Sequence, residues 1–297
     1  MHDDFQSLSR RSLLAIGVTL PVATSAAPTA ARTGAVARRV ALNLADPASV
    51  LQACRKVMFA QHEDLVCWWM KGTKYGLVEN RATAFYGMEI ATFLRCRNIS
   101  TNQFEVNSLE IVYYTDLASG ELLERWQNPY TNEWLDMKYV PVGPAVVPYT
   151  INGPEMPKSL PGVKIESQRR MGPLTVVAND VWIRNDSDAS VTRDTGNDSK
   201  PFLVHDWATY HASLGDIENP GVASAPADVS FIDLTGWPMS MKMGDRPGTR
   251  MSRAAGRKVD RRDAMPESFL ALLQRKHPQI YRDPAAALLT SANRFER

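Results

Sequence analysis

The feature that most constrains this chain is its repeated use of short apolar segments with a period of two, each closed by turn-forming residues. From Phe104 to Thr115, Leu109, Ile111 and Tyr113 fall on one face and Val112 and Tyr114 on the other, the alternation of a pleated strand. Asp116-Leu117-Ala118-Ser119-Gly120 reads as a turn, because Asp, Ser and Gly each favour tight reversals. Glu121 to Gln127 then returns as a partner strand, and Trp134 to Val140 follows after Asn128-Pro129-Tyr130-Thr131-Asn132, completing an antiparallel meander. Upstream, Leu65-Val66-Cys67-Trp68-Trp69-Met70 is short, aromatic and bounded by Lys71-Gly72, again a strand. Gly162 to Arg169, Leu174 to Arg184, Phe202 to Leu214 and Asp228 to Leu234 continue the pattern. Seven or more strands in meander order predict a mainly β fold closing into a lipocalin-like antiparallel β-barrel, since closure removes exposed edges; an open β-sandwich is the alternative.

Between and around the strands other patterns apply. Asp46-Pro47-Ala48 starts a helix, with Asp46 as cap and Pro47 in the first turn. Val50, Leu51, Cys54, Val57 and Met58 carry it at helical spacing to near Gln61. Pro266 to Lys276, with Phe269, Leu270, Leu272 and Leu273, reads as a late helix broken by His277-Pro278 and Asp283-Pro284. Residues 141–162 hold Pro141, Pro144, Pro148, Pro154, Pro157 and Pro161, which predicts a long ordered loop and not a central strand. Asn185 to Lys200 is polar and is expected as an exposed loop, and basic Arg250 to Arg262 as a solvated surface loop, with the rim of an anionic-ligand site as the lesser reading.

The N-terminus carries an address. Ser9-Arg10-Arg11-Ser12-Leu13-Leu14 sets two arginines before an apolar run, Leu13 to Ala23, and small residues follow from Thr24 to Ala31. That is the composition of a removable twin-arginine export signal over residues 1–31, and the run is shorter than the roughly 20 residues that span a bilayer. The expected partner is therefore the twin-arginine translocation machinery and the expected location the periplasm. Residues 32–46 read as a linker and 47–297 as a single β-barrel domain with N- and C-terminal helices. A net charge of +2 gives no reason to invoke nucleic acid or stable membrane insertion. Cys54, Cys67 and Cys96 can form one disulfide at most and match no zinc spacing, so they read as structural thiols.

Three later stretches carry a resemblance: Glu124-Arg125-Trp126-Gln127-Asn128-Pro129-Tyr130-Thr131, His205-Asp206-Trp207-Ala208-Thr209-Tyr210 and Trp237-Pro238-Met239-Ser240-Met241-Lys242-Met243-Gly244, continued by Arg246-Pro247-Gly248 and Gly256-Arg257-Lys258. On these the chain resembles the family named domain of unknown function 1838, over roughly 50 to 285. The resemblance implies no catalytic residue.

The residues themselves offer candidates. Of the histidines outside the signal, His205 and His211 share one strand face with Trp207 and Thr209. They stand roughly 20 Å apart on a straight strand, too far to share a metal, so each would act alone as acid, base or anchor. Asp206 and Tyr210 take the opposite face, and whichever face turns inward decides which pair matters. Tyr113 and Arg125 are candidates for stabilising an oxyanion. Trp68, Trp126, Asn128, Tyr130, Trp134, Trp207 and Trp237 would line a pocket for an aromatic or polycyclic ligand, although any single aromatic taken alone is more often core filling. Phosphate loop, dinucleotide fingerprint, nucleophile elbow and zinc-protease helix are all missing.

The expectation is thus an exported enzyme with no cofactor, a lyase or isomerase moving protons on a small apolar or aromatic molecule. The alternatives are a periplasmic hydrophobic-ligand-binding protein without turnover, or a structural partner in an envelope assembly. Whether the protein is a homo-oligomer stays open.

Overall fold

The computed structural model describes residues 39–155, 159–160, 163–193 and 201–289; the export signal lies outside them. Among these residues the protein is a strongly curled antiparallel sheet, a half-barrel, with a few helices packed on it. The long strands are β1 (Leu65–Val78), β2 (Arg81–Ser100), β3 (Gln103–Thr115), β6 (Val142–Thr150), β9 (Val163–Met171), β11 (Asp180–Arg193), β12 (Phe202–Ser213), β13 (Ala227–Thr235) and β14 (Thr249–Val259). The short ones are β4 (Arg125–Gln127), β5 (Trp134–Asp136), β7 (Gly153–Pro154), β8 (Ser159–Leu160) and β10 (Thr175–Val177). The order is β7-β6-β3-β2-β1-β14-β13-β12-β11-β9-β8, with β10 beside β11, and β4–β5 forms a separate hairpin. The first long strand thus pairs with the last, and the curl brings β7, at one end of the sheet, against β9, near the other.

Both faces of the middle strands are covered. The inner face carries Trp68, Met70, Met88, Ile90, Val112, Ile183, Tyr210 and Val229, with Leu51, Cys54, Val57 and Met58 of α1 (Pro47–Met58) laid across them. Asp46 caps α1 by accepting from the Ala48 N–H at 3.0 Å. The outer face of β1–β3 carries Cys67, Ala91, Phe93, Leu109, Ile111 and Tyr113. Beyond the short α2 (Leu214–Glu218), which follows β12, this face is covered by α3 (Glu267–Lys276), α4 (Pro278–Arg282) and α5 (Pro284–Leu289) through Phe269, Leu273, Ile280 and Leu288. Each such side chain contributes about 1.5–3 kcal/mol on burial. Cys54, Cys67 and Cys96 are buried and free.

Several expectations are corrected. The strand begun at Leu65 runs on to Val78, and β2, the longest strand, falls where no strand was expected. Glu121–Gln127 does not extend the meander: beyond one bridge from Leu122 to Thr115 it turns away, and β4 pairs only with β5. The proline-rich stretch contains a strand, β6, paired along one edge with β3 and on the other, among the described residues, at Tyr149 and Thr150, with Pro148 O accepting from the Glu155 N–H. An edge that needs few N–H donors tolerates proline, and Pro144 sits where the β3–β6 register slips. Asn185–Arg193 continues β11, while residues 194–200 lie outside the described ones. The basic stretch from Arg250 is also no loop. It is β14, whose alternation sends Arg253 and Arg257 outward and Arg250, Ser252 and Ala254 inward.

Candidate functional site

Register builds the site. Ser187 of β11 pairs with Asp206 of β12, Asp206 with Asp233 of β13, Asp233 with Ser252 of β14, Ser252 with Lys74 of β1, and Lys74 with Tyr86 of β2. Because paired residues point to the same side of a sheet, six polar side chains from six neighbouring strands form one line across a largely apolar inner face. In the next line toward α1, Ala208, Phe231, Ala254 and Gly72 are successive partners, so one large ring lies among small residues.

At the centre of the polar line lies an ion pair. Lys74, only 2 % exposed, donates to Asp233 Oδ2 at 2.7 Å and also bonds to Ser252 Oγ. The Ser252 backbone N–H donates to Asp233 Oδ1 at 2.6 Å. Asp233 is 14 % exposed. Burial alone would raise its carboxyl, but the Lys74 ammonium, the Arg250 guanidinium and the two hydrogen bonds hold it below the ordinary carboxylate range. Arg250, one inward position along β14, is itself buried.

A plug of two segments closes this end of the half-barrel. From residues 123–139 come Trp126, Tyr130, Leu135 and Tyr139; from 237–243 come Trp237, Met241 and Met243. Asn128 joins the segments: its fully buried amide donates to Met241 O at 2.9 Å and contacts Met243 Sδ, while its Oδ1 accepts from the Tyr130 N–H. A β-bulge opposite Lys74 and Tyr75 places Phe85 and Tyr86 together in the inner core, as the extra residue of a bulge allows. Their rings meet Trp126 at 4.9 and 5.1 Å, and Phe85 also meets Tyr130 and Trp237. Gly76 makes room for them, since a Cβ there would fall 2.1 Å from Phe85 Cζ and 2.8 Å from Tyr130 Cε2. Between plug and sheet lies a cavity of about 50 Å³ walled by Tyr86, Tyr114, Trp126, Leu135, Met137 and Met241, with Asp136, Lys138, Ser240 and Arg250 as its polar contributors.

The sequence-predicted residues divide between this interior and the outside. Trp126, Asn128, Tyr130 and Trp237 come together in the plug, and Trp68 lies in the apolar floor, its Nε1 donating to Met58 O at 3.0 Å. Of the two faces of β12, Asp206 and Tyr210 turn inward and His205, Trp207, Thr209 and His211 outward. His205 Nδ1 lies 2.7 Å from Asp188, and His211 Nε2 lies 2.7 Å from Asp180, both on β11. Trp207 is 40 % exposed and stacks on His205. Tyr113 is buried on the outer face between Phe269 and His277, where burial pushes its phenol up. Arg125 pairs with Asp136 on the exposed face of the hairpin, over the ring of Trp134, which is 53 % exposed. His205, His211, Tyr113, Arg125, Trp134 and Trp207 therefore lie outside the interior.

Sequence reasoning passed over Lys74, Tyr86, Asp233, Arg250 and Ser252. The available signal was a charge on an apolar face: Lys74 is in phase with Trp68 and Met70, and Asp233 with Val229 and Phe231. A charge in phase with a buried stripe requires a partner. Among the described residues no group of three His, Cys, Asp or Glu side chains comes together to hold a metal ion, and no helix is long and apolar enough to cross a membrane.

No curated protein matches the chain. The three stretches that carried the resemblance are the ones that build the plug and the inward face of β12. The family described as "Protein of unknown function (DUF1838)" matches residues 62–295, from the start of β1 past the last helix, and the chain belongs to that family.

Proposed function

We propose that the protein is exported to the periplasm by the twin-arginine route and there takes a small, flat, largely apolar or aromatic molecule into the half-barrel, beneath the plug, for lyase- or isomerase-type proton transfer. The observation that carries this reading is the polar line crossing the inner face, with the Lys74–Asp233–Ser252 cluster at its centre and aromatic rings above it. A hydrophobic core gains nothing in stability from a buried ion pair that a well-packed apolar pair would not supply, and buried, charge-coupled groups beside a cavity mark functional sites. Trp126, Tyr130 and Trp237 would stack on the ligand after the plug shifts. Asp233, the more exposed partner of the ion pair, and the phenols of Tyr86 and Tyr114 would exchange the proton. These interior groups replace the outward-facing histidines in that role.

A second reading, a carrier without turnover, is favoured by one detail. Both Asp233 oxygens already accept hydrogen bonds, from Lys74 and from the Ser252 N–H, which is the geometry of a fixed anion more than of a free base.

Native mass spectrometry of the mature protein from its own host, followed by denaturation, should release an apolar or aromatic compound. Returned to fresh protein in deuterated water, that compound should exchange a carbon-bound proton, and an Asp233→Asn variant should not catalyse the exchange. Retention without exchange establishes the carrier; a protein that neither retains nor takes up any such compound refutes both readings.

A further inference from the structure

Arg250 is 6 % exposed, and its buried Nε–H has no acceptor among the described residues. An arginine in that state is expensive, because a guanidinium taken out of water needs an anion or several acceptors in return. Asp233 does not supply an acceptor for that N–H, since its oxygens accept from Lys74 and from the Ser252 N–H. Lys74 and Arg250 are matched in number by two inward carboxylates, Asp233 and its register partner Asp206, yet the Arg250 Nε–H is bonded to neither. The surplus of donors extends to the neighbours. Thr235, the register partner of Arg250 on β13, has a buried hydroxyl without a partner, and so does the indole N–H of Trp237, two residues on. Arg250 also helps wall the 50 Å³ cavity beneath the plug, together with Tyr86, Tyr114, Ser240, Lys138 and Asp136, whose carboxylate is paired with Arg125. That volume holds one water comfortably, at about 30 Å³ each, or one small planar group.

We infer that Arg250 is the anchor for a carboxylate-like oxyanion on the ligand, so that the molecule taken into the half-barrel is an organic acid whose apolar or aromatic body lies against Trp126, Tyr130 and Trp237. This rests on the interior-site reading above and adds the charge of its ligand. The planar guanidinium presents paired N–H donors that match a carboxylate in two places at once. Burial under the plug excludes the water that would otherwise screen the pair.

The test uses the mature protein and two probe acids, formate and benzoate, against chloride at equal ionic strength and against neutral benzamide. The Arg250 Nε–H resonance in a proton–nitrogen correlation spectrum should shift on titration with either acid and stay in place with chloride. Benzoate should raise the melting temperature of the wild type, and Arg250→Met should weaken benzoate binding about 10- to 100-fold, the effect of losing hydrogen bonds to a charged group. Arg250→Lys should retain part of the affinity. If Arg250→Met does not fold, the resonance titration on the wild type decides alone. An unmoved resonance means that the site holds water only and overturns the inference. Benzamide binding as well as benzoate, with no loss in Arg250→Met, also overturns it while leaving an interior apolar site standing. If neither probe binds and nothing co-purifies with the protein, the interior-site reading falls with it.

Discussion

Removing Lys74 is the sharpest test of the buried cluster. In Lys74→Met the side-chain volume is nearly kept, but Asp233 loses its ammonium partner at 2.7 Å and Ser252 Oγ loses a donor. Breaking one half of a buried ion pair costs about 3–5 kcal/mol, because the remaining charge stays in a low-dielectric setting. The Arg250 charge nearby, and the partial exposure of Asp233, move the expectation to the lower end. For a domain of this size that is a fall of about 6–12 °C in melting temperature, measured by tryptophan fluorescence and circular dichroism. The pH dependence supplies an internal control. In the wild type the Asp233 carboxyl lies below its unfolded value, so its contribution is present above the ordinary carboxylate range and is lost as pH falls through the depressed folded value. Without Lys74 the burial cost is opposed by Arg250 and the Ser252 N–H bond alone, so the folded value of the group rises. The deficit of the variant should then be largest near neutrality and shrink on acidification as the carboxyl takes a proton. Lys74→Met/Asp233→Asn should recover part of the loss, since the amide still accepts from the Ser252 N–H and neither member of the pair is left charged without the other, while Arg250 gives up the carboxylate charge beside it. A loss below about 1 kcal/mol in the single variant, or a deficit that grows toward acid, would refute the claim that these charges are coupled in a dry interior.

Three further outcomes follow from the same geometry. Burial holds His277, stacked on Tyr113 beneath α3, below its usual range, so the neutral form is the folded one. Stability should fall as pH drops through about 6.5, the ordinary histidine value, and a His277→Phe variant should lose that slope in thermal melts between neutral and mildly acid buffer. Gly76→Ala should displace Phe85 and Tyr130 and cost about 1–3 kcal/mol, with faster proteolysis between residues 123 and 139 than in the wild type. Replacing His205 and His211 together by alanine removes two half-exposed histidine–aspartate contacts from the outer face. It should change stability by no more than about 1 kcal/mol and leave ligand retention intact; lost retention would return the site to the outer face of β12.

Much of the fold was readable because strand and helix periods are local properties. The alternation of Phe104 to Thr115, the strand at Phe202 and the helix capped by Asp46 all appear close to where the residues placed them. The failures share a cause. β2 buries both faces, Tyr86, Met88 and Ile90 on one and Ala91 and Phe93 on the other, so it shows no clean alternation. β6 keeps its prolines because its second edge is nearly free, a circumstance of neighbours and not of the segment. β14 alternates Arg and Lys with Ala, Gly and Ser, which reads as solvent-loving until an inner and an outer side exist.

Local periodicity and turn chemistry suffice for an antiparallel β protein with a capped first helix and a late helix, and they place its family-like stretches near Trp126, Asp206 and Trp237. They also narrow β12 to two alternative faces. The choice between those faces is tertiary, because curl direction is set by which face α1 and the plug cover, and no single strand encodes that. The same holds for the site. Lys74, Asp233, Ser252 and Arg250 are separated by up to 178 positions along the chain, the span from Lys74 to Ser252. They become neighbours only when the first and last long strands pair, since register across that seam is a property of the assembled sheet.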